Sequence, residues 1–333
     1  MERLHFLNVN KGDCTWIQHY SGRNTIVDIC NGNSDTIGLQ EDAQPLSMLA
    51  KSTFRKTLIG NYNQAEHPTN PMEYFQTMEM NEKIFRFILT HPDMDHLDGI
   101  EQLFRSYQII NFWDTQNSKK MDFSKAMGKY KESDWLFYQR IRNSERNPKV
   151  LRFLAGSEGK YLQEDGIFVL SPNEDLVSQA NKVQDFNRLS FVLLVITNNG
   201  KKVILAGDSY EEAWDDIMLN YGYMLQDIDI LIAPHHGRKS GGCSKYLTWL
   251  SPKMTLFGNA ESENMDYSSW NNKRLKHITN NQAGNIMVDF SSYDKVRVCV
   301  TNLAFAKNYI YINNRRFIYY DENRYRFYLI DEF

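Results

Sequence analysis

The chain has 333 residues, enough for one large domain with insertions or for two ordinary ones. Its 42% hydrophobic and 24% charged residues sit near the soluble globular average, which excludes collagen-like, disordered and disulfide-scaffold classes. With 38 Lys+Arg against 41 Asp+Glu the formal charge is -3, so no global field marks a nucleic-acid or membrane binder and any charge argument has to be local.

In chain order, an antiparallel β meander is predicted first: Leu4 to Val9, Cys14 to Gln18 and Thr25 to Cys30, with turns at Lys11-Gly12-Asp13 and Ser21-Gly22-Arg23-Asn24. The early charges Glu2 and Arg3 interrupt any secretory core, and the longest apolar runs, such as Phe191 to Ile196, fall far below the roughly 20 residues of a membrane span. Cys14, Cys30, Cys243 and Cys299 have no close pairing. Together these features predict a soluble, cytoplasmic protein with reduced thiols and no membrane partner.

Residues 31 to about 80 are polar and turn-rich, with Pro45, Pro68 and Pro71, before a buried strand is predicted over Ile84 to Leu89. That strand runs into His91-Pro92-Asp93-Met94-Asp95-His96, followed by a helical pattern over Leu97 to Tyr107. Two later segments repeat the arrangement: Lys202 to Ala206 runs into Gly207-Asp208-Ser209, and Ile228 to Ala233 into Pro234-His235-His236-Gly237. Polar clusters at three strand ends predict one site, because loops converge outside the carboxyl ends of strands in α/β folds.

The stretch 115–165 breaks this rhythm and is read as a mostly helical insertion; its residues 119–160 carry eleven basic side chains against five acids. A tyrosine-rich, β-rich extension is predicted over about 291–333, including Val296 to Val300 and Phe317 to Tyr320. Its residues 295–327 carry seven basic side chains against two acids. No internal repeat is found.

Two histidines and two aspartates within six residues are hard to place in a core, because burying them costs desolvation unless a cation or solvent compensates. A divalent cation is the economical explanation, and imidazole with carboxylate suits zinc, manganese or iron. A solvated polar loop is the alternative, and it has more weight for Asp208 or for the His235-His236 pair taken alone.

The segment Thr90-His91-Pro92-Asp93-Met94-Asp95-His96 resembles the H-x-H-x-D-H signature of metallo-β-lactamase-fold hydrolases. Its form is most similar to the hydrolase-like domain of the DNA-uptake competence protein and its soluble relatives. Four further segments resemble that branch in order: Phe6 to Cys14, Ile26-Val27-Asp28, Leu205 to Asp208 and Ala233 to Gly237. The resemblance implies an α/β, four-layer αββα sandwich over a single domain 1–333. It also implies one or two divalent transition metal ions, zinc or manganese. Carried across, it assigns His91 and Asp93 to one ion, Asp95 and His96 to a second, Asp208 between them, and His235 or His236 as the closing ligand.

In that scheme a metal-bound hydroxide attacks the substrate with no protein nucleophile, and Asp95 and Asp208 are the catalytic carboxylates. The chain departs from most of the family in having Asp93 for a histidine and Asn187-Arg188-Leu189-Ser190 where another histidine precedes the G-D strand. Oxygen in place of nitrogen favours a harder ion, such as manganese, or a weakly held one at the first position. Both changes resemble the competence branch. A histidine segment usual after the next strand is missing from Phe257 to Trp270, where Tyr267 and Ser268 stand without an assigned role. Asp13, Asp28 and Asn187 are candidates for contacts behind the ligands; a turn aspartate bonding its own backbone is the other reading of Asp13 and Asp28.

The basic stretches, interleaved with Tyr130, Trp135, Phe137 and Tyr138, suit phosphates and bases, so an anionic substrate is expected: DNA, RNA or a nucleotide. A solvated helix face and surface strand explain the same charges. Three functions therefore stand: a phosphodiester hydrolase, an ester, lactone or thioester hydrolase, and a non-catalytic partner-binding module.

Overall fold

The computed structural model describes residues 1–33, 60–123 and 130–333; Pro45, Lys125 and Lys129 lie outside them. The strands fall into two sheets almost in chain order. β1 (Arg3–Phe6), β2 (Thr15–Gln18), β3 (Asn24–Val27), β4 (Lys83–Ile88), β5 (Gln108–Trp113) and β6 (Lys149–Leu151) lie side by side in the first sheet. The second sheet holds β7 (Ile167–Ser171), β8 (Val192–Ile196), β9 (Lys202–Leu205), β10 (Ile230–Ile232), β11 (Met254–Phe257) and β12 (His277–Thr279). β13 (Ile286–Asp289) then returns to pair with β1, and β14 (Arg297–Val300), β15 (Ile318–Glu322) and β16 (Tyr325–Glu332) extend that edge.

Alternation along the strands builds the layers. Inward residues such as Phe6, Ile17, Val27 and Ile88 meet Leu193, Val195, Leu205 and Ile232 of the other sheet in one core. Phe87, Leu89 and Phe112 face outward against Leu97, Ile100, Leu103 and Tyr138, while Leu194, Ile204 and Leu231 face outward against Trp214, Ile217 and Trp270. Two sheets each covered by helices make a four-layer αββα sandwich.

Several boundaries differ from the pattern reading. β1 stops at Phe6 because Asn8 leaves the ladder, its N–H donating to the Asn285 side chain at 2.8 Å. The helix expected from Leu97 starts at Ile100, since Gly99 precedes it with φ 103 and its N–H caps onto Asp134. Among its described residues the segment 115–165 is not mostly helical: beside the helices Glu132–Ile141 and Lys160–Glu164 it supplies β6, parallel to β5. The C-terminal stretch is interrupted by a helix, Leu303–Ile312, whose Phe305, Ala306 and Tyr309 enter the inter-sheet core. Its Tyr and Ile residues are β-prone, and tertiary burial overrides that preference.

The chain ends of β3, β4, β9, β10 and β11 open on the same rim of the sandwich, and the polar turns follow them there. Among the described residues no helix is long and apolar enough to cross a membrane.

Candidate metal centre

After β4 the chain runs through Thr90, His91 and Pro92 and then makes one tight turn, Met94–His96. The turn is seated on Asp28. That residue, at φ 56, accepts hydrogen bonds from the Thr90 N–H and hydroxyl, both at 2.7 Å, and faces His96 Nδ1 at 2.8 Å. Gly12 is required beneath the same turn: a Cβ there would lie 1.6 Å from the Asp95 carbonyl oxygen.

The loop after β10 brings in the other imidazoles. His235 and His236 are consecutive residues in the left-handed region, at φ 50 and φ 58. That backbone costs of order 1–3 kcal/mol per residue and persists only where surroundings enforce it. Here the His235 N–H donates to the Gly207 carbonyl at 2.8 Å, tying the loop to the turn that carries Asp208. Both rings consequently point to Asp208. His236 is backed by Asp13, its Nδ1 3.0 Å from Asp13 Oδ1, and His235 by the Ser240 hydroxyl at 2.7 Å.

Asp208 divides the cluster. Its Oδ2 lies 3.8 Å from His91 Nε2 and 3.5 Å from His235 Nε2; its Oδ1 lies 3.5 Å from His96 Nε2 and 3.6 Å from His236 Nε2. Asp95 joins the second half, where it, His96 and His236 offer ligand atoms all within 4.8 Å of one another. His91, His96 and Asp208 form another such set, and Asp13, Asp208 and His236 a third. Asp93 stands at the rim of the first half, with Oδ2 3.9 Å from His91 Nε2 and Oδ1 held by the Lys119 ammonium.

Of the residues singled out from sequence, His91, Asp95, His96, Asp208, His235, His236 and Asp13 are thus brought together, and Asp28 stands directly behind them. Asn187 is buried in the turn Phe186–Leu189, and no hydrogen bond among the described residues ties its side chain to the cluster. Tyr267 stacks on Phe257, and Ser268 bonds Asp266. Gly258, directly after β11, packs under the cluster: a Cβ there would crowd Asp13 Oδ1 at 2.9 Å and His236 Nδ1 at 3.1 Å. Sequence reasoning missed Ser240, which has no motif around it, and read Lys119 only as one of the basic residues of 119–160, not as a neighbour of Asp93. Pattern reading also left His235 and His236 as alternatives, whereas both face the carboxylate.

Electrostatics follow the same division. Burial opposes charge on Asp208, but the imidazoles of His236, His96 and His91 outweigh it and hold its carboxyl well below the usual range. Burial likewise opposes charge on His96, yet Asp208 and Asp28 push it well above its ordinary value. Against the same penalty Asp13 and Asp208 raise His236 to about 9. In the first half burial wins: it lowers His91, assisted by His96, and lowers His235 despite Asp208.

A test of metal fit comes from groups left without partners. His91 Nε2, His96 Nε2 and Asp208 Oδ1 are buried with no hydrogen-bond partner, each a cost that folding rarely tolerates. A divalent cation beside Oδ1 satisfies that oxygen and His96 Nε2, and the Asp13 and Asp28 carboxylates fix the ring orientations such ligation needs. The residues present fit such an ion.

No protein-family model matches the chain, and no curated protein matches it. Solved structures similar to it include CmlA, a diiron β-hydroxylase from Streptomyces venezuelae (TM-score 0.46, 11% identity, 87% of this chain and 54% of that one). Another is a diphosphatase from the PhnP family (TM-score 0.40, 10% identity, 83% and 94%). A third is a metal-dependent hydrolase from Parabacteroides distasonis, described as putative in its own name (TM-score 0.39, 13% identity, 83% and 92%). The chain therefore spans about half the length of the diiron hydroxylase. The layer order, with the His/Asp cluster on turns at one rim, decides the architecture. It is a four-layer αββα sandwich.

Proposed function

We propose that the protein is a metal-dependent hydrolase of phosphodiesters, using zinc or manganese at the Asp208 cluster. The observation that carries this reading is the Asp208 carboxylate, buried among four imidazole Nε2 atoms at 3.5 to 3.8 Å with one oxygen turned to each pair. A cation bound there supplies Lewis acidity and activates water near neutral pH. Asp95 and Asp208 position that chemistry, and His96 and His236 are oriented for it by Asp28 and Asp13.

An anionic substrate is supported by the cations at the rim. Lys119 reaches Asp93, and Arg238, its Nε buried without a partner, places Nη1 3.4 Å from His235 Nε2. Arg188 adds a second guanidinium over the Tyr210 ring, 5.7 Å from its centroid, and is itself paired with Glu212 at 2.8 Å and Asp185 at 3.2 Å. Lys119 and Arg238 are charges at the site itself, unlike much of the basic composition. Arg142 and Arg152 are engaged by the buried Asp114 at 2.9 and 3.7 Å, and Lys295 and Arg297 by Glu332 at 2.7 and 3.1 Å. The competence-type motifs favour DNA, RNA or a nucleotide as the diester. The buried thiols Cys14, Cys30, Cys243 and Cys299 favour a cytoplasmic site of action.

Purified protein supplied with manganese or zinc is expected to cleave bis-p-nitrophenyl phosphate and at least one of single-stranded DNA, duplex DNA, RNA or a cyclic dinucleotide. Turnover of p-nitrophenyl acetate alone would replace the diester with a carboxylic ester, and full activity in chelator would remove the metal from the reaction.

A further inference from the structure

The two halves of the cluster are unequal in a way that bears on how many ions it holds. Ligands about 2.0–2.2 Å from a tetrahedral ion lie about 3.4 Å from one another, so a competent set is a tight one. In the second half Asp95, His96 and His236 already meet that demand within 4.8 Å. In the first half the donors are His91, His235, Asp93 and Asp208 Oδ2. Among the described residues, His91 joins a set of three ligand atoms within 4.8 Å of one another only together with His96 and Asp208, and neither Asp93 nor His235 belongs to any.

Positive charge is already present there. Lys119 places its ammonium on Asp93 Oδ1, with a side chain only 15% exposed. Arg238 Nη1 stands at the Nε2 atom that His235 would have to offer an ion. A divalent cation in this half would sit between an ammonium and a guanidinium, with like charges close together in a partly buried space.

Lys119 is also held in place by a buried scaffold. Its N–H donates to Asn117 Oδ1 at 3.2 Å; that oxygen also accepts from Arg142 Nη1 at 3.0 Å, while Asn117 Nδ2 donates to the Tyr138 hydroxyl at 2.8 Å. Tyr138 and Arg142 both end on Asp114. The preceding Ser118 N–H is fixed by Asn181 Oδ1 at 2.6 Å. The ring of Phe186 lies 5.7 Å from the ammonium. A lysine on so determined a loop presents a fixed charge rather than a mobile one.

We infer that Lys119 is the resident cation of the first half, so that the protein binds one divalent ion tightly, at Asp95, His96, His236 and Asp208, and not two. This rests on the metal-dependent reading above. Lys119 acts here as a positioning residue: its charge holds Asp93 away from ligation and leaves the first half facing the substrate as a cationic wall.

The test is elemental analysis of the full chain after loading with excess manganese or zinc and desalting, with titration calorimetry of the metal-free protein as a second count. The natural protein is expected to retain one equivalent, His96→Ala none and Asp93→Ala one. Lys119→Met is expected to rise toward two, and Lys119→Gln tests the same charge through a side chain that keeps a donor for Asp93. Two tight equivalents in the natural protein, or a count unchanged at one in both Lys119 variants, would overturn the inference while leaving metal dependence intact. No metal retained by the natural protein would instead overturn the underlying reading.

Discussion

Asp208 presents one carboxylate oxygen to His91 and His235 and the other to His96 and His236, yet one pair is backed by hydroxyls and the other by carboxylates. Behind His96 and His236 stand Asp28 and Asp13, at 2.8 and 3.0 Å. Behind and beside His91 and His235 are hydroxyls, Thr90 at 3.1 Å and Ser240 at 2.7 Å, with Arg238 and Lys119 at the rim. A carboxylate behind an imidazole raises its basicity and strengthens it as a ligand; a hydroxyl only orients it. The same four rings around one carboxylate can therefore build one strong cation site and one place that prefers an anion.

The comparison breaks most readily at Asp28. Asp28→Asn removes the charge behind His96 and weakens the seat of the Thr90–His91 turn, so metal affinity is expected to fall about 10–100-fold in a calorimetric or competitive-chelator titration. A change below threefold would deny the second half its special status.

Acidity is the next lever. The metal-free His236 sits at about 9, above its ordinary value of 6.5, so a cation must displace a proton from it at neutral pH. Metal affinity is expected to climb as pH rises from about 6.5 through about 9. The metal-free fold should change in the opposite sense: the stability contributed by protonated His236 is fully present below 6.5 and is lost as pH rises through about 9. Thermal melts with and without metal across that range would show the two curves diverging.

The smallest effect is expected at Ser240, the partner of His235. With no tight ion in the first half, Ser240→Ala should change metal affinity less than about threefold, against the 10–100-fold expected for a partner behind a ligand. A loss as large as that of Asp28→Asn would make the halves equal.

Much of this was legible from the amino-acid order because strand ends are local. An apolar run followed by His91-Pro92-Asp93 or Gly207-Asp208 must end at a turn, and turns at the carboxyl ends of neighbouring strands must meet. The central strand was legible for the same reason, since the apolar run Ile84 to Leu89 reads as buried and β4 is buried along most of its length. Less was legible at the rim. The 119–160 stretch reads as a basic surface, yet Arg142 and Arg152 spend their charge on the buried Asp114, which supports the loop carrying Lys119. Composition counts charges without their partners. The helix Leu303–Ile312 escaped a strand-like composition because what selects it is the inter-sheet core it covers.

The order of residues alone was sufficient to specify which groups could bind a cation and where along each strand they would emerge, because both depend on chemistry within a few positions. It could not specify that His235 and His236 both turn to Asp208, that Asp13 and Asp28 stand behind different rings, or that an ammonium from position 119 reaches Asp93. Those depend on consecutive left-handed backbone and on contacts between residues more than 20 positions apart, and the packing of two sheets sets both.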